Sequence, residues 1–588
     1  MSTVRMPFGY HGMSFRIDVS TGGVERVPLP GTLLRRFIGG SGLGVRLLLD
    51  EGTAPLDALD PRAPLIFAFS PLVGSPLTTS AKFAVVSKSP LTDRINDSLA
   101  SSGFAVQGKA CGCDAMVIVG RAAEWSVLVI DDGSVRLEPA ADCAGLTCGA
   151  TDARLRSRLG SDFRIAAIGP GGENGVRFAT ISHDGRHAGR GGSGAVMGAK
   201  RLKAIAVRGT QRPEWADRQQ VIAISQDLSH RSFGPATAKY RELGTATNLL
   251  TFNRLRALPT RNFQRGHFED AGNLSVEQLT ATRSKTRESC VTCTIGCEHI
   301  YGVGSGTVRV EYESLFALGS LCGIGDAEVV LRASQRCDEL GIDTISAGGT
   351  IAFAMECVER GWLDEPWLAF GDGQALLRAI DLIGVRQGLG NLLAEGSRRA
   401  AAAIGHHSMA IAPQVKGLEI PGYEPRALQT MALGFAVGTR GADHNRSGAY
   451  EVDFSEKVDR RQVTLDAVRH AIDTEDRAAL MDSLIICKFL RGVFEDFHEE
   501  AAAMVRSVTG WEVTARELRQ TAARIVAAKQ QFNRRAGWRP EEDTLPDRVL
   551  DTPLPDDPLA TLSRERLAAL VAEYHRQRGT ADPRDVEG

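Results

Sequence analysis

The hydrophobic pattern changes character about a third of the way along the chain. Up to about residue 210 it consists of short apolar runs punctuated by Gly and Pro, at 64–70, 83–87, 115–120, 127–131 and 204–208. Runs of this length, bounded by turn formers, predict buried strands. Beyond Gln211-Arg-Pro-Glu-Trp215, long helical patterns take over. Apolar side chains at Val329, Ala333, Cys337 and Leu340 make one helical stripe, and Gly341 stands where a left-handed C-terminal cap belongs, so Asp343 is expected just past a helix end. The stretch from Arg477 to Asp482 also reads as helical and delivers Asp482 and Cys487 in a comparable way. The segments Asp338-Glu-Leu-Gly-Ile-Asp343 and Asp482-Ser-Leu-Ile-Ile-Cys487 echo one another, and the apparent internal repeat is limited to them. A weaker break falls near Pro413 to Pro425. Pro553, Pro555 and Pro558 precede a last, charged helix. The expected organisation is α+β and multidomain: a β-rich part at 1–210, then two mostly helical parts at 211–415 and 416–588.

A chain of 588 residues exceeds one ordinary core, which agrees with that division. Its 69 basic and 71 acidic residues leave a formal charge of -2, no field for wrapping nucleic acid or coating an anionic membrane. The start from Met1 to Tyr10 lacks a basic patch followed by an apolar core, and no apolar run is long enough to span a bilayer. A cytoplasmic protein without membrane or nucleic-acid partners is expected. The 11 cysteines are an odd number, and Cys111, Cys113, Cys143, Cys148, Cys322, Cys337 and Cys357 show no small-domain disulfide pattern, which points to a reducing compartment.

The remaining cysteines carry the first chemical signal. Cys290-x-x-Cys293-x-x-x-Cys297 is a triplet on one short stretch, and Cys487 is a distant singleton. Three close thiolates and one remote one can hold a cubane 4Fe-4S cluster. The alternative, a four-cysteine zinc site, usually arrives as two close pairs. The run Gly185 to Gly198 combines exposed amides with Arg186 and Arg190 and suits a phosphate or pyrophosphate, without the Gly-Lys-Ser/Thr of a Walker loop; its plain reading is a Gly-rich turn between strands. Asp338, Asp343 and Asp482 are either ordinary helix-end carboxylates or acceptors for the ring N–H and amino donors of a heterocycle. Glu313 at the head of an apolar helical stretch and His444 in Arg440-Gly-Ala-Asp-His-Asn-Arg446 have everyday roles available to them, in a helix dipole and a solvated loop.

Taken together, these segments resemble the tungsten-containing aldehyde ferredoxin oxidoreductase family over nearly the whole chain. Phe37-Ile-Gly-Gly-Ser-Gly-Leu-Gly44, Ser87-Lys-Ser-Pro-Leu-Thr92, Ile168-Gly-Pro-Gly-Gly-Glu-Asn174 and Gly189 to Lys200 come first. The cysteine triplet, Tyr312-Glu-Ser-Leu, Cys337 to Ser346 and Asp482 to Cys487 follow in family order. The resemblance implies two N-terminal β-sheets forming the base under a bis-molybdopterin cofactor, with two helical lobes closing over it. Tungsten or molybdenum would be held by the pterins without a protein side chain. Cys290, Cys293, Cys297 and Cys487 would hold the cluster. By motif, Arg186, His187, Gly189, Arg190, Asp338, Ile342, Asp343, Asp482, Ile486 and Cys487 would contact the pterins, with Lys82 and Arg446 near them, and Glu313 and His444 would be the acid–base residues beside the metal. The implied reaction is oxidation of an aldehyde to a carboxylic acid with water, electrons leaving through the cluster to ferredoxin or a ferredoxin-like subunit, in a homo-oligomer or complex. The alternatives are a catalytic subunit of an aromatic acyl-CoA reductase and an electron relay that retains only the cluster.

Four departures from the family pattern stand out. Ile485 takes the place of a glycine in the second pterin turn, where a β-branched residue resists left-handed geometry. Leu99-Ala-Ser-Ser102 replaces a segment of Asn-Ser-Gly-Gly type. Lys82 replaces an arginine, exchanging a planar fork for a point charge. Arg332 replaces a glutamate that binds an intersubunit iron in some archaeal members, so no such iron is expected.

Overall fold

The computed structural model describes residues 7–580. Residues 1–6 of the N-terminal stretch and 581–588 of the last expected domain lie outside the described residues.

Two sheets of six strands build the first third. One contains β1 (Met13–Asp18), β2 (Gly23–Pro28), β3 (Leu65–Ala68), β4 (Lys82–Lys88), β5 (Ile95–Ser101) and β6 (Ala115–Val119), in the spatial order β2-β1-β6-β3-β4-β5. The other contains β7 (Ser126–Asp131), β8 (Ser134–Pro139), β9 (Arg164–Ala167), β10 (Ile181–His183), β11 (Arg186–Ala188) and β12 (Leu202–Arg208). Its order, taken from the opposite edge, is β8-β7-β12-β9-β10-β11, the same topology strand for strand. In each sheet the first and last strands pair in parallel and the other pairs are antiparallel. A parallel pair needs a long crossover, and here the whole of each unit supplies it. The five apolar runs form β3, β4, β6, β7 and β12. Strand β5, Ile-Asn-Asp-Ser-Leu-Ala-Ser, is polar in composition yet almost wholly buried, so hydrophobicity does not reveal it. Nor does the sequence repeat reveal the duplication, because a pleated strand asks only for side chains that suit each face.

The remaining two thirds are mostly helical, apart from a three-stranded antiparallel sheet of β13 (Lys285–Glu288), β14 (Glu298–Val303) and β15 (Gly306–Arg309) and a two-stranded one of β16 (Gln414–Val415) and β17 (Leu418–Glu419). The cysteine triplet occupies the loop joining β13 to β14. The stripe from Val329 to Leu340 lies in the helix Ala327–Leu340, which ends on Gly341 in left-handed geometry (φ 68°), and Asp343 caps the next helix, Thr344–Glu359, accepting from Ser346 N at 3.0 Å. The helix Asp466–Leu484 ends on Ile485, also left-handed (φ 65°). A β-branched residue in that region carries on the order of 1–3 kcal/mol of strain and persists only where its surroundings over-determine it.

Each helix-to-turn unit rests on a glycine segment from one sheet unit. Under the second turn, a Cβ at Gly40 would overlap the Asp482 carbonyl oxygen and the Ile485 side chain, and Gly42 N donates to Ser483 Oγ at 3.0 Å. Under the first, a Cβ at Gly169 would overlap the Leu340 carbonyl, and one at Gly171 the Ile342 side chain. The duplicated base thus offers two seats for two turns. Among the described residues no single helix is long and apolar enough to cross a membrane.

Gly40→Ala should lower the unfolding free energy by about 1–3 kcal/mol more than Gly22→Ala, because overpacking against backbone adds to the cost of a positive φ. Gly22 shares the positive φ (74° against 44°) but faces open space. Equal losses in parallel denaturant titrations would show that the seat tolerates a side chain.

Candidate functional site

The second turn sits in a buried network of charges. Asp482 Oδ2 lies 3.0 Å from the Arg446 guanidinium and 3.1 Å from Lys488 Nζ. Arg446 also reaches Asp97 Oδ2 at 3.2 Å, and the same oxygen accepts from Lys529 Nζ at 2.7 Å and Ser41 Oγ at 2.9 Å. Arg440 donates to the carbonyls of Asp97 (2.9 Å) and Arg190 (2.7 Å) and pairs with Asp443 at 3.2 Å. Arg190 lies 3.5 Å from Asp343, which links this network to the first turn, and donates to the Ala442 carbonyl at 2.6 Å. Burial opposes ionisation of Asp97 and Asp443, but the surrounding guanidinium and ammonium groups outweigh it and hold both carboxyls well below their usual range.

Sequence reasoning singled out Arg190, Asp343, Arg446 and Asp482 but missed Asp97, Arg440, Asp443, Lys488 and Lys529. One signal was available: Lys529 interrupts the apolar stripe Ala522, Ile525, Val526, Phe532 of the helix Ala515–Arg535, and a lysine in a stripe needs a buried partner. Nothing comparable marks Asp97.

Around the first turn, His187 on β11 lies 3.2 Å from Asp338 Oδ1 and 2.7 Å from Thr180 Oγ1. Burial and the neighbouring Arg309 push His187 down to about 3, so it is neutral. Burial lifts the Asp338 carboxyl to about 7. Arg186 and Arg309 both grip Glu298. A Cβ at Gly189 would meet nothing within 4 Å, so space adjoins that backbone. The side chains of Ile342 and Ile486 are buried in apolar clusters, which leaves only their backbone for a ligand.

The cysteine loop approaches the second turn from outside. Thr79 connects them: its N donates to the Thr292 carbonyl at 3.3 Å and its hydroxyl accepts from Cys487 N at 3.1 Å. Burial and the thiols of Cys487 and Cys290 raise Cys293 to about 11, and Cys297 is raised by burial and the other three thiols. The four sulfurs therefore share one neighbourhood, although no three His, Cys, Asp or Glu side chains among the described residues close around a single metal ion. Lys82 is half-buried, which works against its charge, but Cys487, Cys290 and Asp482 beside it raise its pKa. All 11 cysteines are free.

Glu313, in the first turn of the helix Tyr312–Leu318, faces His444, the first residue of the helix His444–Ser447, with Glu313 Oε1 3.6 Å from His444 Nδ1, beyond hydrogen-bond range. Glu313 Oε2 accepts from Gly422 N at 3.0 Å. Asn445 Nδ2 lies 3.0 Å from His444 Nε2, and a bond donated by that amide assigns the ring proton to Nδ1. Burial lifts Glu313 to about 8 and pushes His444 down to about 3. At neutral pH the pair is mostly a carboxylic acid beside a neutral imidazole. Glu313 Oε1, His444 Nδ1, Arg190 Nε, Arg440 Nε and Asp97 Oδ1 are all buried without a hydrogen-bond partner. Such atoms are costly singly, and their concentration here fits a bound polar group that offers both acceptors and donors.

The N-terminal domain of aldehyde ferredoxin oxidoreductase matches residues 14–209, and domains 2 and 3 of the same family match residues 225–583. The chain belongs to the aldehyde ferredoxin oxidoreductase family. It is 35% identical to the tungsten-containing aldehyde ferredoxin oxidoreductase of Pyrococcus furiosus and 36% identical to that of Thermococcus kodakarensis, with 97% of this chain and 96% of each relative covered. A solved structure of the active-site complex BamBC of benzoyl coenzyme A reductase with 1,5-dienoyl-CoA shares the fold, with a TM-score of 0.83 at 23% identity over 98% of this chain and 95% of that one. The protein is an oxidoreductase of the aldehyde ferredoxin oxidoreductase family, and its mixed architecture of an N-terminal pair of sheets and a helical remainder is the family's fold.

Asp97→Ala would leave Arg446, Arg440 and Lys529 short of a buried counter-charge and should destabilise the protein by about 3–5 kcal/mol. Denaturant titration checks this. A loss below about 1 kcal/mol would mean that water replaces the carboxylate.

Proposed function

We propose that this oxidoreductase converts an aldehyde and water to a carboxylic acid at a tungsten or molybdenum bis-molybdopterin centre, passing electrons through a 4Fe-4S cluster to a ferredoxin-like carrier. The observation that carries the reading is the meeting of Glu313 with His444 among unpartnered buried donors and acceptors. Identity of about 35% across nearly the whole length of the tungsten-containing relatives supports aldehyde as the substrate class, whereas the likeness to the benzoyl coenzyme A reductase complex extends to fold alone. In this reading the pterins lie between the turns at 338–343 and 482–487, held by Asp338, Asp343 and Asp482, by the backbone at Ile342 and Ile486, and by Arg186, His187, Gly189, Arg190 and Arg446. Cys290, Cys293, Cys297 and Cys487 would hold the cluster, a triplet and a remote singleton being the ligand pattern of a cubane rather than the two close pairs usual for zinc. The expected divisions at about 210 and 415 then separate the base from the two lobes, and the compartment is cytoplasmic.

When bound, the metal centre supplies a two-electron acceptor and the cluster a one-electron relay. The chain's own contribution is protonic and electrostatic. His444, neutral and carrying its proton on Nδ1, donates to the substrate oxygen as negative charge develops there. Glu313, once ionised, accepts the proton of the attacking water or of the aldehyde carbon; a carboxyl near 8 is a strong base that is still partly available near neutrality.

The surface beside the cysteine loop supports an acidic carrier. Val291 and Phe233 are 42% and 58% exposed, and Ser232, next to Phe233, bonds Thr294 of the loop at 2.5 Å. The Arg241 guanidinium lies over the Phe233 ring, Arg287 donates to the Arg241 carbonyl, and Lys285 donates to the Glu242 carbonyl. Arg241, Arg287, Lys285 and nearby Lys239 have no ion pair among the described residues. Exposed apolar groups rimmed by unpaired cations suit an anionic protein surface.

Protein purified anaerobically from a host that makes tungstopterin should carry about four iron per chain together with tungsten or molybdenum and pterin, and should reduce a viologen dye with aldehydes. Iron and sulfide without heavy metal would favour the relay alternative instead. Glu313→Gln should lower kcat/KM by about 10²–10⁴ with metal content intact. In the parent enzyme kcat/KM should rise with pH, because the base works only when deprotonated, with its midpoint near 8; persistence of that limb in the Gln variant would remove Glu313 from the mechanism. Reversing Lys239, Arg241 and Arg287 to Glu should raise KM for an acidic ferredoxin several-fold, more at low salt, and leave viologen reduction unchanged.

A further inference from the structure

We propose that the Ser101 hydroxyl tunes the reduction potential of the cluster at Cys290, Cys293, Cys297 and Cys487 by donating a hydrogen bond to the Cys290 sulfur. The proposal rests on the cluster assignment above. Ser101 is the last residue of β5, and its cross-strand register partner on β4 is Lys82. Side chains at directly opposed positions of an antiparallel pair emerge on the same face. That one row therefore brings two donors to the ligand set: the Lys82 ammonium beside Cys487 and Cys290, and the Ser101 hydroxyl 3.2 Å from Cys290 Sγ.

The next residue fixes the geometry. Ser102 Oγ accepts from Val291 N at 2.7 Å, so the backbone immediately after Cys290 is tied to the end of the same strand. Both serines are buried. A cysteine bound to iron is a thiolate without hydrogen, so in the Ser101–Cys290 contact the hydroxyl must donate. Such a bond draws charge from the sulfur and stabilises the reduced, more negative cluster, which raises its potential. Ser101 and Ser102 stand at the glycine pair of the Asn-Ser-Gly-Gly type segment in the family pattern, and glycines can make neither side-chain bond. The tuning contact is thus a property of this chain's own departure from that pattern. Ser101 acts through a ligand and is a positioning residue, not a catalytic one.

The test compares holoenzyme with Ser101→Ala, Ser101→Thr and Ser101→Val, measuring iron and sulfide content and the cluster midpoint by EPR-monitored redox titration. The expected result is a midpoint displaced to more negative potential in Ala and Val, with parental iron content and signal shape, and a midpoint near the parent's in Thr. An Ala variant with a full cluster and the parental midpoint overturns the proposal. If Ala assembles no cluster, the near-isosteric Thr and Val pair decides, and equal midpoints in those two overturn it. A parent enzyme without cluster iron, after purification from a competent host, sinks the cluster assignment and this proposal together; a parent with iron but no Ser101 effect sinks the proposal alone.

Discussion

A carboxylate shut away from water joins four separate parts of the chain. The Asp97 carboxylate on β5 takes Ser41 from the glycine segment of the base, Arg446 from the short helix His444–Ser447 and Lys529 from the helix Ala515–Arg535, while Arg440 donates to the carbonyl of the same residue. Hydrophobic burial is non-directional and would allow these elements to slide past one another. A buried ion set allows much less freedom, because displacing one member leaves charges desolvated and unpaired, which costs several kcal/mol. The position of Arg446, and with it that of Asp482, is therefore specified by β5. This explains why so polar a strand, at one edge of its sheet, is nevertheless buried.

The duplicated base makes two equivalent seats, but the turns placed on them differ electrically. Asp482 faces Arg446 and Lys488, both cationic, and shares the neighbourhood of the cysteine loop through Lys82 and Cys487. Asp338 faces a neutral His187, and its carboxyl is lifted to about 7 by burial. Symmetric architecture thus carries an asymmetric field. A ligand with two related halves would meet an acceptor paired with two cations on one side and a carboxyl lifted to about 7 on the other, and the partly exposed thiols of Cys290 and Cys487 adjoin the former.

What the sequence made legible follows from which interactions are local. The helix ending at Gly341 and the Asp343 cap depend on spacing and one left-handed residue, both visible in a short window. The cysteine triplet is likewise local, and Cys487 was found because it lies in a recognisable turn. Asp97 and Lys529 are partners separated by hundreds of residues, so Asp97 carries no signal of its own and Lys529 shows only as a lysine set in an apolar stripe. Strand β5 escaped for the same reason: its polar side chains satisfy distant groups rather than a local pattern. The Glu313 and His444 pairing was suggested by family resemblance alone, and the geometry adds the reason for interest, a 3.6 Å approach of two unpartnered atoms.

Ile485 shows how a local rule can be broken where distant packing is strong enough. The helix could have ended on a glycine, as its counterpart does at Gly341, without steric cost. Instead its left-handed residue is an isoleucine with 0% exposure, lodged against Gly40, at a place where Gly40 has given up its own side chain. Strain in the turn and absence of a side chain in the seat are two sides of one fit, in which the isoleucine fills the volume that the glycine leaves. Removing the branched side chain would relieve the backbone but open a hole in the contact between the Gly40 segment and the end of the helix Asp466–Leu484. A Leu- or Ile-sized cavity typically costs about 2–5 kcal/mol, more than the strain it would relieve. The turn that presents Asp482 and Cys487 is therefore anchored from below by packing rather than relaxed by geometry, and the two residues it presents owe their positions to the N-terminal sheets as much as to their own helix.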